Sequence, residues 1–115
     1  MHELSITKDL IRMIEQECSD KKIAAPKRIV AELGSIASFK KDPIIFYFDL
    51  LKKENALLSK TELEIAEVTA KAYCARCRKT SMIDQPYLVF CGHCDSYDVK
   101  ITEGRDFILK RIISD

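Results

Sequence analysis

Four cysteines, Cys74, Cys77, Cys91 and Cys94, form two C-x-x-C pairs separated by 13 residues. No other feature restricts the chain as strongly. Two thiolates three positions apart can grip one ion from a single tight turn, and a second such pair completes the tetrahedron that Zn²⁺ prefers, with Zn–S of about 2.3 Å. The gap is slightly shorter than the usual zinc-ribbon spacing, yet it leaves room for a hairpin that brings the pairs together. All four positions are cysteine, so no coordination site stays open for water or substrate, and the reading is structural zinc. The ligand set alone also admits a rubredoxin-like iron centre. Two complete pairs suit one metal better than two separate dithiol switches.

The stretch from Tyr73 to Val99 that holds these ligands is too short to bury a core of its own, because domains below about 40 residues usually need a metal or crosslinks. It therefore reads as a metal-nucleated module, residues 73–98, inserted into a larger domain made of residues 1–72 and 99–115. A chain of 115 residues with 47% hydrophobic and 32% charged content supports one modest core. The formal net charge is +1, from 19 basic and 18 acidic side chains, and a zinc tetrathiolate would bring it to about −1. Residues 71–100 carry five basic and three acidic side chains, not the concentrated basic stripe of a nucleic-acid binder. A nucleic-acid- or protein-binding zinc ribbon is nevertheless the alternative reading. No segment approaches the roughly 20 apolar residues of a membrane span. The start lacks the basic and apolar regions of a signal peptide. The expected location is thus cytoplasmic, where paired cysteines read as metal ligands before disulfides.

Along the chain, Leu4, Leu10, Ile11, Ile14 and Cys18 make an amphipathic helical stripe. Cys18 reads as a small buried apolar residue of that stripe. Period two after Pro26 predicts a strand, with Ile29, Ala31 and Leu33 on one face, ending near Gly34. Asp42-Pro43 predicts a second helix start, with Asp42 as N-cap and Pro43 at the first helical position. Ile44 to Leu51 fills that helix, and Phe46, Tyr47 and Phe48 are expected to supply core area. Alternation returns over Thr61–Ala72 with a phase slip near Ala66, for which a bulge is expected. Leu88-Val89-Phe90 leads into the second pair, Glu103-Gly104 suggests a turn, and Phe107–Ile113 reads as the last strand. The predicted fold is α+β: two helices packed on a three-stranded, mostly antiparallel sheet, with an inserted zinc-ribbon module.

Two histidines complete the candidate list. His93 lies inside the second pair and reads as an exposed turn residue, or as an outer ligand that modulates a metal site with pH. His2 carries a more specific chemistry. The α-amine of Met1, the amide nitrogen of residue 2 and the imidazole of His2 can close two adjacent chelate rings in one plane, which suits Ni²⁺ or Cu²⁺. Glu3 could add its backbone nitrogen or its carboxylate. With two histidines, three glycines, no glycine-rich phosphate loop and no placeable nucleophile–base pair, the sequence argues against an enzyme.

The Met1-His2-Glu3-Leu4-Ser5 start, Glu32-Leu33-Gly34, Glu62-Leu63-Glu64-Ile65 and the two cysteine pairs, in that order and spacing, resemble the HypA/HybF family of nickel metallochaperones. The resemblance covers essentially the whole chain. It implies His2 as the essential Ni(II) ligand, helped by the Met1 amine and Glu3, and structural Zn(II) on Cys74, Cys77, Cys91 and Cys94. It also implies work with a HypB-type GTPase, delivery to the [NiFe] hydrogenase large-subunit precursor, and in some organisms a role with urease accessory proteins. Some members carry histidines just outside the cysteine pairs. Here Arg78 and Asp95 stand there instead, leaving only His93 nearby.

Overall fold

The computed structural model describes residues 2–83 and 89–114, without the side chain of His2. Met1, the His2 side chain and Leu88, each given a part by the sequence, lie outside the described residues. The elements in order are α1 (His2–Asp20), β1 (Arg28–Gly34), α2 (Lys41–Lys52), β2 (Glu62–Val68), β3 (Ala70–Cys74), β4 (Thr80–Ile83), β5 (Val99–Glu103) and β6 (Phe107–Ile113). This is the expected sequence of two helices and two strands, a cysteine-bearing section, and a final strand. Among the described residues no helix is long and apolar enough to cross a membrane.

The strands form two three-stranded sheets, ordered β2-β1-β6 and β4-β3-β5. In the first, β6 runs antiparallel to β1, since Lys27 bonds to Ile113 and Gly34 to Asp106. β2 runs alongside β1 in the same direction, since Glu62 bonds to Lys27 and Ser35 to Val68. A parallel neighbour needs a long crossover, and α2 supplies it. In the second sheet β3 pairs antiparallel with both β4 and β5. Among the described residues, three of the four strand pairings are therefore antiparallel.

The chain divides into two compact units. The first comprises Met1–Ala31, Phe39–Ala66 and Ile108–Asp115. Its core takes Leu10, Ile14 and Cys18 from α1, Ile29 and Ala31 from β1, Ile44 and Phe48 from α2, and Leu58, all buried. Cys18 thus serves as the apolar filler its stripe position suggested. The polar groups drawn into this core are satisfied. The Thr61 hydroxyl donates to the Pro26 carbonyl at 2.6 Å, and the Asn55 side-chain oxygen accepts from the N–H of Leu57 and Leu58 at 3.0 and 3.2 Å.

The second unit comprises Glu32–Ser38 and Glu67–Phe107. Its core is thin: Ala70, Ala72 and Ile83, with Ile36, Val89, Val99 and Ile101 packed around them. Close backbone packing holds it. A Cβ on Gly34 would meet the Gly104 carbonyl oxygen at 2.0 Å, and one on Gly104, whose φ is +86°, would meet Ala70 Cα at 2.2 Å. The Ser35 hydroxyl accepts from the Ala70 N–H at 2.8 Å beside this crossing.

Three local expectations are corrected. α2 begins two residues earlier than Asp42-Pro43 suggested, with Lys40 as N-cap and no side-chain cap. Pro43 is still tolerated, because it falls in the first turn, where an N–H has no intrahelical acceptor. Of the three aromatics expected in the core, Phe48 is fully buried but Phe46 is 62% exposed, because neighbours on a helix point about 100° apart. The phase slip after β2 is no bulge at Ala66. The chain leaves one sheet after Val68 and enters the other at Ala70, so the face assignment restarts, and the register irregularity sits between Lys71 and Ala72 against β5.

Candidate metal centre

The two C-x-x-C turns fold alike, residue for residue. In the first, the Cys74 N–H donates to Lys79 O at 2.9 Å and the Arg78 N–H donates back to Cys74 O at 2.8 Å. In the second, Cys91 N–H donates to Ser96 O at 2.8 Å and Asp95 N–H to Cys91 O at 3.0 Å. The residue after each second cysteine, Arg78 or Asp95, adopts φ of 61°. That left-handed step reverses the chain so that both sulfurs of a pair face the same side. Phe90 and Tyr97 flank the second turn and stack edge to face, centroids 6.2 Å apart, which closes its base.

β3 delivers Cys74 at its last residue, while the return from β4 delivers the second turn. The outcome is one cluster: the four sulfurs lie within 4.8 Å of one another. Cys74 and Cys94 sulfurs are 3.7 Å apart, and those of Cys77 and Cys91 are 3.5 Å apart. A tetrahedron with metal–sulfur bonds of about 2.3 Å has edges of about 3.8 Å, so the spacing fits a single Zn²⁺. Cys74 and Cys91 are buried, Cys77 half-buried and Cys94 exposed.

The surroundings favour thiolate on one cysteine of each pair. The Cys77 N–H donates to Cys74 Sγ at 3.4 Å and the His93 N–H to Cys91 Sγ at 3.3 Å. The backbone donor from Cys77 is the main reason Cys74 falls below the ordinary thiol value. At Cys91 burial pushes upward, but the N–H groups of His93 and Cys94, with Cys77 and Ser81, outweigh it and bring the group down to about 6. Their partners move the other way. Burial chiefly, then the facing Cys91 sulfur, pushes Cys77 up to about 12. At Cys94 the Ser96 N–H pulls downward, but desolvation and the sulfurs of Cys74 and Cys91 leave it raised. Each turn thus pairs a cysteine whose surroundings favour the thiolate with one that holds its proton more tightly, and metal binding would displace the remaining protons.

Ser81 was missed by sequence reasoning. It is buried on β4, its hydroxyl accepts from the Gly92 N–H at 2.9 Å, and it lies 3.8 Å from Cys91 Sγ as a donor. It ties the sheet to the second turn. Thr80-Ser81-Met82-Ile83 shows no polar–apolar alternation in sequence, so nothing local marked Ser81 as a buried residue of the strand. His93 is exposed, with Nε2 3.3 Å from Thr80 O, so its backbone touches the cluster while its ring turns outward to β4.

At the other end of the chain, α1 begins at His2. Glu3 is half-buried, and its carboxylate oxygen Oε2 accepts the N–H of Lys40 at 3.2 Å, pinning the first turn of α1 to the segment before α2. The Thr7 hydroxyl donates to the Glu3 carbonyl at 2.5 Å within the same turn. The Lys40 partner lies 37 residues away and carries no local signal in the sequence.

An α+β protein with a closed four-thiolate centre belongs among small metal-handling proteins whose zinc site organises structure. Comparison with known proteins narrows this. The family model described as "Hydrogenase/urease nickel incorporation, metallochaperone, hypA" matches residues 1–113. The hydrogenase maturation factor HypA of Moorella thermoacetica is 33% identical over 109 residues, covering 95% of each chain. That of Azotobacter chroococcum is 27% identical over 112 residues, covering 97% of each. In fold, the solution structure of the Ni metallochaperone HypA from Helicobacter pylori superposes with a TM-score of 0.74 at 21% identity, covering 96% of this chain and 95% of that one. The chain belongs to the HypA family. That is a family of nickel metallochaperones for enzyme maturation, and its members are maturation factors rather than enzymes.

Proposed function

We propose that this protein binds Ni(II) at its amino terminus and delivers it during maturation of [NiFe] hydrogenase. The observation that carries the reading is the start of α1 at His2. The first four N–H groups of a helix have no intrahelical acceptor. The amide nitrogens of residues 2 and 3 can therefore serve as ligands without breaking a helical hydrogen bond. The Met1 amine, the His2 amide and the His2 imidazole form the ligand core, with Glu3 beside it. Glu3 also anchors this turn through Lys40, so its carboxylate holds the site on the fold.

Such a site is suited to transfer. A cation at a helix N-terminus faces the positive end of the macrodipole, a penalty of about 0.3–1 kcal/mol that an acidic first-turn residue such as Glu3 offsets. The ligands are few and terminal, so a recipient can replace them one at a time. The cluster of Cys74, Cys77, Cys91 and Cys94 would hold Zn(II), which supplies a rigid crosslink for a unit with a thin core and takes no part in transfer. The recipient is the hydrogenase large-subunit precursor, with a HypB-type GTPase as co-worker in the cytoplasm. Urease accessory proteins are the second client class, in keeping with the family description. In this scheme the His93 ring rests on β4 through Thr80 O, outside the ligand set of the zinc turn.

The test is nickel titration of untagged protein and of His2→Ala, with zinc content measured in parallel. The expected result is loss of nickel binding with zinc unchanged. Equal nickel affinity in both proteins overturns the assignment. X-ray absorption then separates nitrogen and oxygen ligands from sulfur, and sulfur-ligated nickel would move the cargo to the cysteine cluster.

A further inference from the structure

A cleft of about 340 Å³ opens in the first unit, between the middle of α1 and the end of α2. Lys8, Ile11 and Arg12 line it from α1, and Leu51, Glu54 and Asn55 line it from α2 and the turn that follows. Ile11, buried, and Leu51, half-buried, supply its apolar surface. Lys8 and Glu54 are exposed, and among the described residues neither has an ion-pair partner within 4.0 Å. Arg12 is already engaged with the Asp9 carboxylate on its own helix. The far wall is held in place. The Asn55 side-chain nitrogen donates to Glu15 Oε2 of α1 at 3.2 Å, and its oxygen accepts from the N–H groups of Leu57 and Leu58. Both ends of this side chain are thus committed to fixing the turn against the helix.

Size and charge together define the occupant. Each wall is about one helical turn long, about 6 Å. A docked helix is read through anchors at i, i+3 or i+4 and i+7, which need about 10 Å. The volume instead matches the small end of the roughly 300–1,000 Å³ of small-molecule sites, which are apolar with a few placed polar groups. The unpaired charges on the two walls are opposite in sign. Lys8 stands on the α1 side. Glu54 stands just past the C-terminal end of α2, where the macrodipole also favours a positive group. A ligand that answers all three parts has an apolar body, a carboxylate for Lys8 and an ammonium for Glu54.

We propose that this cleft binds a free apolar α-amino acid of about leucine size. Its carboxylate accepts a charge-assisted hydrogen bond from the Lys8 ammonium, with Arg12 adding positive charge beside it. Its ammonium donates to the Glu54 carboxylate, and its side chain lies on Ile11 and Leu51. A ligand of about nine non-hydrogen atoms in so open a cleft reaches about millimolar affinity. The proposal is independent of the nickel reading, since no lining residue belongs to either metal site.

The experiment is a titration of the zinc-loaded full chain with L-leucine to about 20 mM, followed by backbone amide NMR shifts. Saturable shifts centred on Lys8, Ile11, Arg12, Leu51 and Glu54 are expected, with a dissociation constant of about 1 mM. L-serine, which lacks the apolar body, should not saturate. Isocaproate, which lacks the ammonium, and L-leucinamide, which lacks the carboxylate, should each bind about fivefold more weakly than L-leucine. Lys8→Met should weaken L-leucine about fivefold yet bind L-leucinamide no more weakly than the original protein does. Glu54→Gln should weaken L-leucine by about the same factor yet bind isocaproate no more weakly. Both residues are exposed, so each variant should keep the original melting curve. Absence of saturable shifts, shifts centred elsewhere, L-serine binding as well as L-leucine, or variants that bind L-leucine like the original overturns the proposal. So does N-acetyl-L-leucinamide, an uncharged mimic of a residue inside a partner chain, binding as tightly as L-leucine.

Discussion

Replacing Ser81 with alanine tests how the metal centre is supported from β4. The side chain is 8% exposed, so no water stands ready to replace its hydroxyl. Two contacts disappear: the 2.9 Å hydrogen bond accepted from Gly92 N–H and the longer donor contact, 3.8 Å, to Cys91 Sγ. A buried neutral hydrogen bond contributes about 0.5–1.5 kcal/mol, and an outer partner of a metal ligand changes metal affinity about 10–100-fold. The long sulfur contact argues for the lower end, so zinc affinity should fall about tenfold. The pH response should change in a defined sense. Ser81 is among the groups that pull Cys91 down to about 6. Without it Cys91 holds its proton to higher pH, and proton competition with the metal begins earlier as pH falls. Competition against a chromophoric chelator at several pH values measures both effects. The nickel affinity of untagged protein serves as the control and should not move. Zinc affinity unchanged within about twofold would refute the view that Ser81 supports the centre.

Adding zinc to metal-free protein near pH 7.5 should release at least two protons per ion, those of Cys77, held up to about 12, and Cys94, also raised. Calorimetry in buffers of different ionisation enthalpy counts them, and affinity should rise with pH because the bound form needs thiolates. Cys74→Ala should release zinc and expose residues 73–99 to rapid hydrogen exchange, since the second unit buries little beyond Ala70, Ala72 and Ile83; slow exchange there in the metal-free variant would contradict this. Gly34→Ala should destabilise the protein by about 2 kcal/mol or more, because its Cβ would sit 2.0 Å from a backbone oxygen that cannot rotate away. Chemical denaturation reads that loss.

The sequence by itself determined the parts whose signals are local. C-x-x-C is such a signal, because one tight turn presents both sulfurs, and the four named cysteines are the ones the structure gathers. The stripe of α1, the strand ending at Gly34 and the final strand Phe107–Ile113 were legible for the same reason, since period 3.6 and period 2 are properties of neighbouring residues. Three adjacent aromatics, in contrast, gave no way to tell which would face the core. The way α2 packs in its unit decided that Phe48 is buried and Phe46 is not.

Only the tertiary structure decided the contacts that join distant positions. Glu3 finds Lys40 across 37 residues, Ser81 finds Gly92, and Gly34, Gly104 and Ala70 meet backbone to backbone. It also decided that the break after Val68 is a passage from one sheet to the other, where sequence showed only a slipped alternation. The physical reason is the same in each case. Ligand type and turn chemistry are encoded within a few residues, whereas the partners that hold a ligand in place are chosen by how the chain returns to itself.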